Sequence, residues 1–350
     1  MKTFNIDNII RPNIKAMKAY SSARDEFQEI SNDFVFLDAN ENPYETGLNR
    51  YPDPFQRNVK NELSTIKNYP ANQILLGNGS DEVLDLIFRA FCEPNQDNVI
   101  AISPSYGMYS VLANLNAIEY RKSLLNENDF QPNIEDIFSK VNEYTKMIFL
   151  CSPNNPTGEI IKREYILEIV KRFNGLVIID EAYIDFSTEP SWIEEIKNYP
   201  NIIVIQTLSK AFGLAGIRLG ILYASQEIIA VLNKIKPPYN INQLTQQKAL
   251  EILKDYDKIK LTTQTIIDQK QLLETALKEI TFIEKIYPSD ANFILIKVDD
   301  ATKRYNELIE KGIVIRNRTN DDLCKNCLRI TVGTEEENEK LLSVFKLLSA

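Results

Sequence analysis

The sequence predicts an α/β protein: a mainly parallel sheet covered by helices, followed by a smaller α+β domain. Three observations predict it. Short continuous apolar runs (ILL, VIAI, MIFL, LVIID, IIVI) recur between segments of helical spacing, the pattern of strands buried on both faces. Polar motifs stand directly after these runs, at the strand ends where open α/β sheets bind ligands. Lys236-Pro237-Pro238 then breaks the alternation, and long helices with scattered strands follow.

In chain order, residues 1–33 read as an arm with a short helix, and 34–37 as a strand. Residues 37–54 are rich in Asn, Pro, Asp and Gly and read as irregular structure, either a surface loop or a segment lining a site. Residues 56–67 form a helix. At 74–91 a strand runs through Gly77-Asn78-Gly79 into a helix with Ser80 as N-cap and Asp81 and Glu82 in its first turn. Strands follow at 99–102, 118–121, 147–150, 176–180, 202–205 and 219–223, with helices at 106–115, 133–140 and 164–173. Beyond the prolines come one or two long helices over 243–278. Strands near 293–298, 313–316 and 328–332 and helices near 300–311 and 335–348 complete the chain. No internal repeat or low-complexity tract interrupts it.

Composition narrows the function. The 350 residues carry 44% hydrophobic and 25% charged side chains, an ordinary globular balance with length for one large core and a smaller one. A net charge of −9 argues against a general nucleic-acid or anionic-membrane binder and leaves room for a local basic site. The N-terminal MKTFNIDNIIRPNIKAMKAY lacks the apolar core of a secretory signal, and no stretch approaches the roughly 18 apolar residues that span a bilayer. A cytoplasmic protein is expected. Cys324 and Cys327 form a lone CxxC; with no histidine and no second pair, two inert thiols are favoured over zinc, and no metal is expected. The absence of histidine excludes Ser-His-Asp and Cys-His catalysis. Proton transfer near neutral pH falls to lysine, carboxylate, tyrosine or a cofactor.

Several residues could carry chemistry. Lys210 follows a buried strand and sits among small residues, with Thr207, Ser209 and Arg218 as donors suited to a phosphate dianion. A lysine so placed can attach an aldehyde cofactor as a Schiff base, and pyridoxal phosphate is the reading we carry forward. Asp180 ends the run LVIID; a buried carboxylate there needs a partner, and a protonated pyridine nitrogen supplies one. The plain alternative is a helix cap or salt bridge. Tyr183 stands three residues on. Asn155 lies in the proline-rich turn SPNNPTG, either a rigid turn or a fixed amide donor. Tyr106 offers a ring for stacking or for ordinary packing. The glycine turn at Gly79–Asp81 is a phosphate cradle or a common strand–helix connection. Arg316 and Arg329 lie on apolar strands and bind anions or form surface ion pairs.

The motifs in this order resemble the fold-type I pyridoxal-phosphate aminotransferases. TLSKAFGLAG resembles the lysine signature of the class II members, and SPNNPTG and DEAY resemble their asparagine and aspartate segments. The likeness runs from Tyr20 to Gly333. AYSSAR, LDANENP, NRYPDP, LGNGSDE and LRITVG resemble the branch acting on histidinol phosphate. The resemblance implies a large domain with a mainly parallel seven-stranded sheet. It implies an N-terminal arm contributing to the small domain over 1–40, a cofactor domain over 41–242 and a small domain over 243–350. It implies transamination between histidinol phosphate and 2-oxoglutarate, giving imidazole-acetol phosphate and glutamate, in histidine biosynthesis.

Residue by residue, the resemblance implies that Lys210 forms the internal aldimine and shuttles the proton. Asp180 holds the pyridine nitrogen, Asn155 and Tyr183 hold the ring oxygen, and Tyr106 stacks on the ring. Gly79, Ser80, Asp81, Thr207, Ser209 and Arg218 surround the phosphate, with Tyr51 reaching it from the second subunit of a homodimer. Arg329 takes the glutamate α-carboxylate, and Arg316 the substrate phosphate or distal carboxylate, with Arg318 in competition for that role. Tyr20 and Asn40 line the substrate pocket. An aromatic aminotransferase, a threonine-phosphate decarboxylase or a non-catalytic protein on the same fold are the rival readings. A dinucleotide-dependent oxidoreductase is disfavoured because no GxGxxG follows the first strand.

Overall fold

The computed structural model describes residues 4–19 and 35–349. Seven strands form the large sheet: β1 (Ile74–Asn78), β2 (Asn98–Ser103), β3 (Glu119–Leu124), β4 (Thr145–Cys151), β5 (Leu176–Asp180), β6 (Ile202–Thr207) and β7 (Leu219–Tyr223). Their order is β1-β7-β6-β5-β4-β2-β3. All neighbours pair in parallel except β7, which runs antiparallel to both β1 and β6.

All but the charged edge strand β3 are buried on both faces because apolar residues occupy both sides of the pleat. Ile100, Ile148, Val177 and Val204 belong to one cluster, and Val99, Phe149, Ile178 and Ile203 to another. Each such side chain contributes about 1.5–3 kcal/mol on burial. The covering helices are amphipathic: α1 (Pro12–Ala16), α2 (Arg57–Lys67), α3 (Gly79–Phe91), α4 (Met108–Leu115), α5 (Ile134–Ser139), α6 (Arg163–Arg172) and α7 (Gln226–Ile235). In α3 the apolar face Val83, Leu84, Ile87, Phe88 and Phe91 packs into the second cluster.

After α8 (Gln243–Leu253) and the long α9 (Tyr256–Leu277), a second sheet forms from β8 (Ile283–Ile286), β9 (Phe293–Val298), β10 (Arg316–Asn317) and β11 (Cys327–Thr331). It is antiparallel, ordered β10-β11-β9-β8. α10 (Ala301–Glu310) and α11 (Glu335–Ser349) complete a third apolar cluster around Ile294, Ile296, Leu328 and Phe345.

Four expectations on elements need correction. Residues 35–37 are not a strand; Val35 and Leu37 are exposed, so no sheet edge receives them. The strand expected at 313–316 is only Arg316–Asn317, because pairing with β11 begins where Arg316 meets Arg329. β8 was not anticipated, since IEKI is short and charged. Ser80 does not cap α3: Asn78 stands at the N-cap, no side chain caps it, and Ser80 lines the pocket described next.

Candidate active site

The site follows from the topology. Parallel strands deliver their carboxyl ends to one edge of the sheet. Because β7 returns antiparallel from β6, the connection between them also lies at that edge, with Lys210 near its start and Arg218 at its end. The carboxyl end of β1 lies beside the start of β7: the Gly79 N–H donates to the Arg218 carbonyl at 3.0 Å.

A pocket of about 220 Å³ results, lined by Ser80, Asp81, Tyr106, Cys151, Asn155, Asp180, Ala182, Tyr183, Thr207, Ser209, Lys210, Arg218 and Arg329. It brings together the expected residues from five strand ends and adds Arg329 from the small sheet. Gly79 stands just behind Arg218; a Cβ on it would lie 2.6 Å from Arg218 Nη2. The segments are held rigidly. Asn154 donates to the Pro104 carbonyl and to Thr157 Oγ1, both at 2.9 Å, and accepts from Ser105 Oγ at 2.9 Å. This pins the turn of Tyr106 to the turn of Asn155.

The small sheet is pinned over the same edge. Arg329 Nη1 donates to Asn155 Oδ1. Asp290 Oδ2 accepts the Ile160 N–H at 3.0 Å. Asp322, in the loop between β10 and β11, accepts from Ser103 Oγ at 2.6 Å and Lys122 Nζ at 2.9 Å.

Electrostatics follow from burial and from facing charges. Lys210 opens to the pocket mouth, with Nζ 5.6 Å from the centre of the Tyr183 ring. Its pKa is lowered, by desolvation in the cleft first and then by the Arg329 and Arg218 guanidinium groups. Burial raises the pKa of Asp180, and the hydrogen bond from Tyr109 works against that rise. Tyr183 is likewise raised by burial. Thr207 Oγ1 accepts the Ser209 N–H at 3.1 Å, which folds the two hydroxyls together. Asp81 Oδ1 accepts the Tyr106 hydroxyl at 3.0 Å, and its other oxygen lies 3.8 Å from Arg218. Arg329 keeps a buried Nε without a hydrogen-bond partner among the described residues.

These features fit a flat, phosphorylated aldehyde. Lys210 supplies the amine, and Asp180 is a buried carboxylate that, among the described residues, accepts from two neutral donors, the Tyr109 hydroxyl and the Ala182 N–H. Arg218 and the first turn of α3 supply donors for a dianion. The orphaned Arg329 Nε suits a further anion at the pocket's edge.

Other expected residues lie elsewhere. Tyr20 falls outside the described residues. Asn40 and Tyr51 line a separate cavity of about 480 Å³, where Tyr51 stacks on Tyr239 with ring centres 4.4 Å apart. Arg316 is exposed and faces Arg329 across the β10–β11 register, so both point to one face of the sheet. Arg318 is engaged with Asp321 at 2.6 Å. Cys324 and Cys327 are buried free thiols, and no cluster of potential metal ligands occurs among the described residues. Sequence reasoning missed Asn154, Cys151, Ala182 and Tyr109. For Tyr109 a signal existed: it stands three residues after Tyr106, within the helix expected over 106–115.

Comparison with known proteins identifies the family. The profile of the family described as aminotransferase class I and II matches residues 33–345. The histidinol-phosphate aminotransferase of Flavobacterium johnsoniae is 61% identical over all of both chains. That of Bacteroides fragilis is 55% identical over 99% of each. Among solved structures, the histidinol-phosphate aminotransferase of Clostridium acetobutylicum superposes with a TM-score of 0.80 at 29% identity, over 87% of this chain and 91% of that one. The enzyme of Sinorhizobium meliloti in complex with pyridoxal-5′-phosphate has the same fold, with a TM-score of 0.77 at 23% identity over 85% and 84%. The chain belongs to the class I and II aminotransferase family.

Proposed function

We propose that this chain transfers an amino group between histidinol phosphate and 2-oxoglutarate, as a cytoplasmic homodimer in histidine biosynthesis. The cofactor is pyridoxal 5′-phosphate. The observation that carries the reading is the convergence of Lys210, Asp180, Asn155, Tyr183 and Arg218 on one pocket, with Arg329 at its edge. When bound, the cofactor supplies an electron sink for the charge left when the substrate carbon loses its proton.

The chain's own residues do the rest. Lys210 Nζ would hold the cofactor through its aldehyde carbon and, once released, would carry the proton between the substrate carbon bearing the amino group and that aldehyde carbon. Asp180 accepts from the protonated ring nitrogen. Tyr183 and Asn155 donate to the ring oxygen, and Tyr106 covers the ring. Gly79, Ser80, Asp81, Thr207, Ser209 and Arg218 cradle the phosphate, with backbone N–H groups contributing. Arg329 holds the α-carboxylate of glutamate through bidentate donors. Arg316 takes the substrate phosphate or the distal carboxylate. Its exposure and its position opposite Arg329 support this choice over Arg318, whose charge Asp321 already meets.

Tyr51 completes the phosphate site of a second copy. Its half-exposed ring, outside its own chain's pocket, supports that role. Asn40, and Tyr20 by resemblance alone, belong to the substrate side. The division at 40 and 242 into arm, cofactor domain and small domain is part of the same proposal.

The visible spectrum of the purified protein tests the reading. Wild type is expected to show a band from the lysine-bound cofactor that shifts on adding histidinol phosphate. Lys210→Ala is expected to lose both band and shift; an unchanged band in this variant overturns the assignment of Lys210. Turnover compared across histidinol phosphate, phenylalanine and threonine phosphate tests the substrate, which must be histidinol phosphate for the proposal to stand.

A further inference from the structure

Asp180 is buried, and different segments serve its two oxygens. Oδ1 accepts the Ala182 N–H at 3.1 Å, a contact made by the turn that follows its own strand. Oδ2 accepts the hydroxyl of Tyr109 at 2.7 Å, from a helix that starts two strands away across the sheet. Tyr109 is completely buried. Its ring stacks on Phe149, with centres 5.0 Å apart and planes inclined by 24°, and Phe149 stacks in turn on Phe88 at 5.3 Å. Tyr106 meets Tyr109 edge-on at 5.6 Å. A phenol wedged in this way cannot swing, so its hydroxyl has one direction available. That direction points at a carboxylate whose charge burial opposes.

We propose that Tyr109 is a positioning residue: its hydroxyl fixes the rotation of the Asp180 carboxylate and keeps it an ionised acceptor toward the pocket. This rests on the pyridoxal-phosphate reading of the site. With Oδ2 held by Tyr109 and Oδ1 by Ala182, the remaining lone pairs have a set orientation toward the pocket. A neutral carboxyl at this position could not accept from a protonated ring nitrogen in the same way. The hydroxyl therefore acts on the cofactor through Asp180, without entering the pocket lining. The edge-on contact with Tyr106 gives the same side chain a second hold on the site, because the ring of Tyr106 does face the pocket.

A purely structural role would ask only for the ring. Tyr109→Phe keeps the ring and removes the hydroxyl, so it separates the two. The experiment measures cofactor dissociation constants of apoprotein by absorbance titration, and the pH at which the visible band of the holoenzyme changes, for wild type, Asp180→Asn, Tyr109→Phe and Phe149→Leu. Losing a hydrogen bond to a charged group is expected to weaken cofactor binding about ten-fold in Tyr109→Phe, about 1.4 kcal/mol. The pH of the spectral change is expected to move in that variant. Asp180→Asn is expected to lose more affinity. Phe149→Leu is expected to lower the melting temperature while leaving the pH of the spectral change in place.

If wild type binds no cofactor, or Asp180→Asn binds as well as wild type, the reading of the site fails and this proposal falls with it. If Asp180→Asn is impaired while Tyr109→Phe matches wild type in affinity and spectral pH, the site reading stands and the role of Tyr109 is overturned. A spectral shift in Phe149→Leu equal to that in Tyr109→Phe also overturns it, because packing alone would then account for both.

Discussion

Replacing Gly79 with alanine tests whether Arg218 holds the phosphate end of the pocket. Gly79 has φ of 73°, where a residue with a Cβ costs about 1–2 kcal/mol. The new methyl would stand 2.6 Å from Arg218 Nη2 and 3.2 Å from its Cζ. Those atoms end a long flexible side chain, so the guanidinium moves and the fold does not open. Once displaced, it gives up charge-assisted hydrogen bonds to a dianion worth about 1.5–3 kcal/mol, roughly ten- to a hundred-fold in affinity. Gly220 provides the contrast. A Cβ there meets the backbone of Gly79 at 2.3 and 2.4 Å and Ser80 N at 2.4 Å. No side-chain rotation relieves that clash, so alanine at 220 must part β7 from the start of α3, at about 1–3 kcal/mol or more. Urea unfolding of the apoproteins and cofactor titration together read both terms. Gly79→Ala is expected to lose about 1–2 kcal/mol of apo stability and at least about ten-fold in cofactor affinity. Gly220→Ala is expected to lose more apo stability than Gly79→Ala, with cofactor affinity falling as well because the junction it parts carries Gly79 and Ser80. Cofactor affinity equal to wild type in Gly79→Ala would refute the reasoning, since it would mean that the guanidinium is not part of the phosphate site.

Two further outcomes are expected. Glu181 is buried, accepts from Ser191 Oγ at 2.5 Å, Trp192 N–H at 2.7 Å and Gln206 Nε2 at 2.9 Å, and is pushed by burial from 4.5 up to about 6. The folded state thus holds this proton more tightly than the unfolded chain, so its contribution to stability falls as pH rises from 4.5 to about 6, by about 2 kcal/mol. The stability difference between wild type and Glu181→Gln, measured by urea unfolding at several pH values, should change across that window; a flat difference contradicts the sign. Asp322→Asn removes the ion pair with Lys122 and weakens the bond from Ser103, contacts that set the loop after β10, the strand carrying Arg316, against the large sheet. The pair is partly exposed, so stability should drop by no more than about 1 kcal/mol. Steady-state kinetics should show KM for the phosphorylated substrate rising several-fold with kcat retained, and an unchanged KM would remove the loop from substrate positioning.

How much of this was legible in the sequence depended on the range of the interaction. The strands 176–180 and 202–205 are apolar on both faces, and their burial needs no tertiary information. Lys210, Asp180 and Asn155 were legible as candidates because each follows such a strand, and parallel packing sends all such ends to one edge. The reach of Tyr109 to Asp180 was not. It depends on β2 and β5 being separated only by β4, which is a fact of strand order and not of local pattern. The segment 313–316 failed for a related reason. Ile313 and Ile315 alternate like a strand and do pack into the small core, but a ladder needs a partner, and β11 offers one only from Arg329 onward toward its own start. The antiparallel return of β7 was equally hidden, since an apolar run carries no direction.

That return matters more for the chemistry than any single residue. Had β7 been parallel, the chain after Lys210 would have crossed the sheet, and Arg218 would have stood at the opposite edge. The short antiparallel connection instead keeps a lysine and an arginine eight positions apart in one pocket. Two cations, Arg218 and Arg329, then act on the Lys210 amine together with desolvation and lower its pKa. Both are also the groups that anions would neutralise: Arg218 a phosphate, Arg329 a carboxylate. Once an anion pairs with each guanidinium, its repulsion on Lys210 is reduced, and the amine becomes a stronger base in the filled site than in the empty one. A lysine with a lowered pKa is available as a nucleophile before the anions arrive and gains basicity after they do. On the proposed roles, an acidic chain without histidine would obtain both properties from one side chain, because its topology brings both guanidinium groups into the pocket of Lys210.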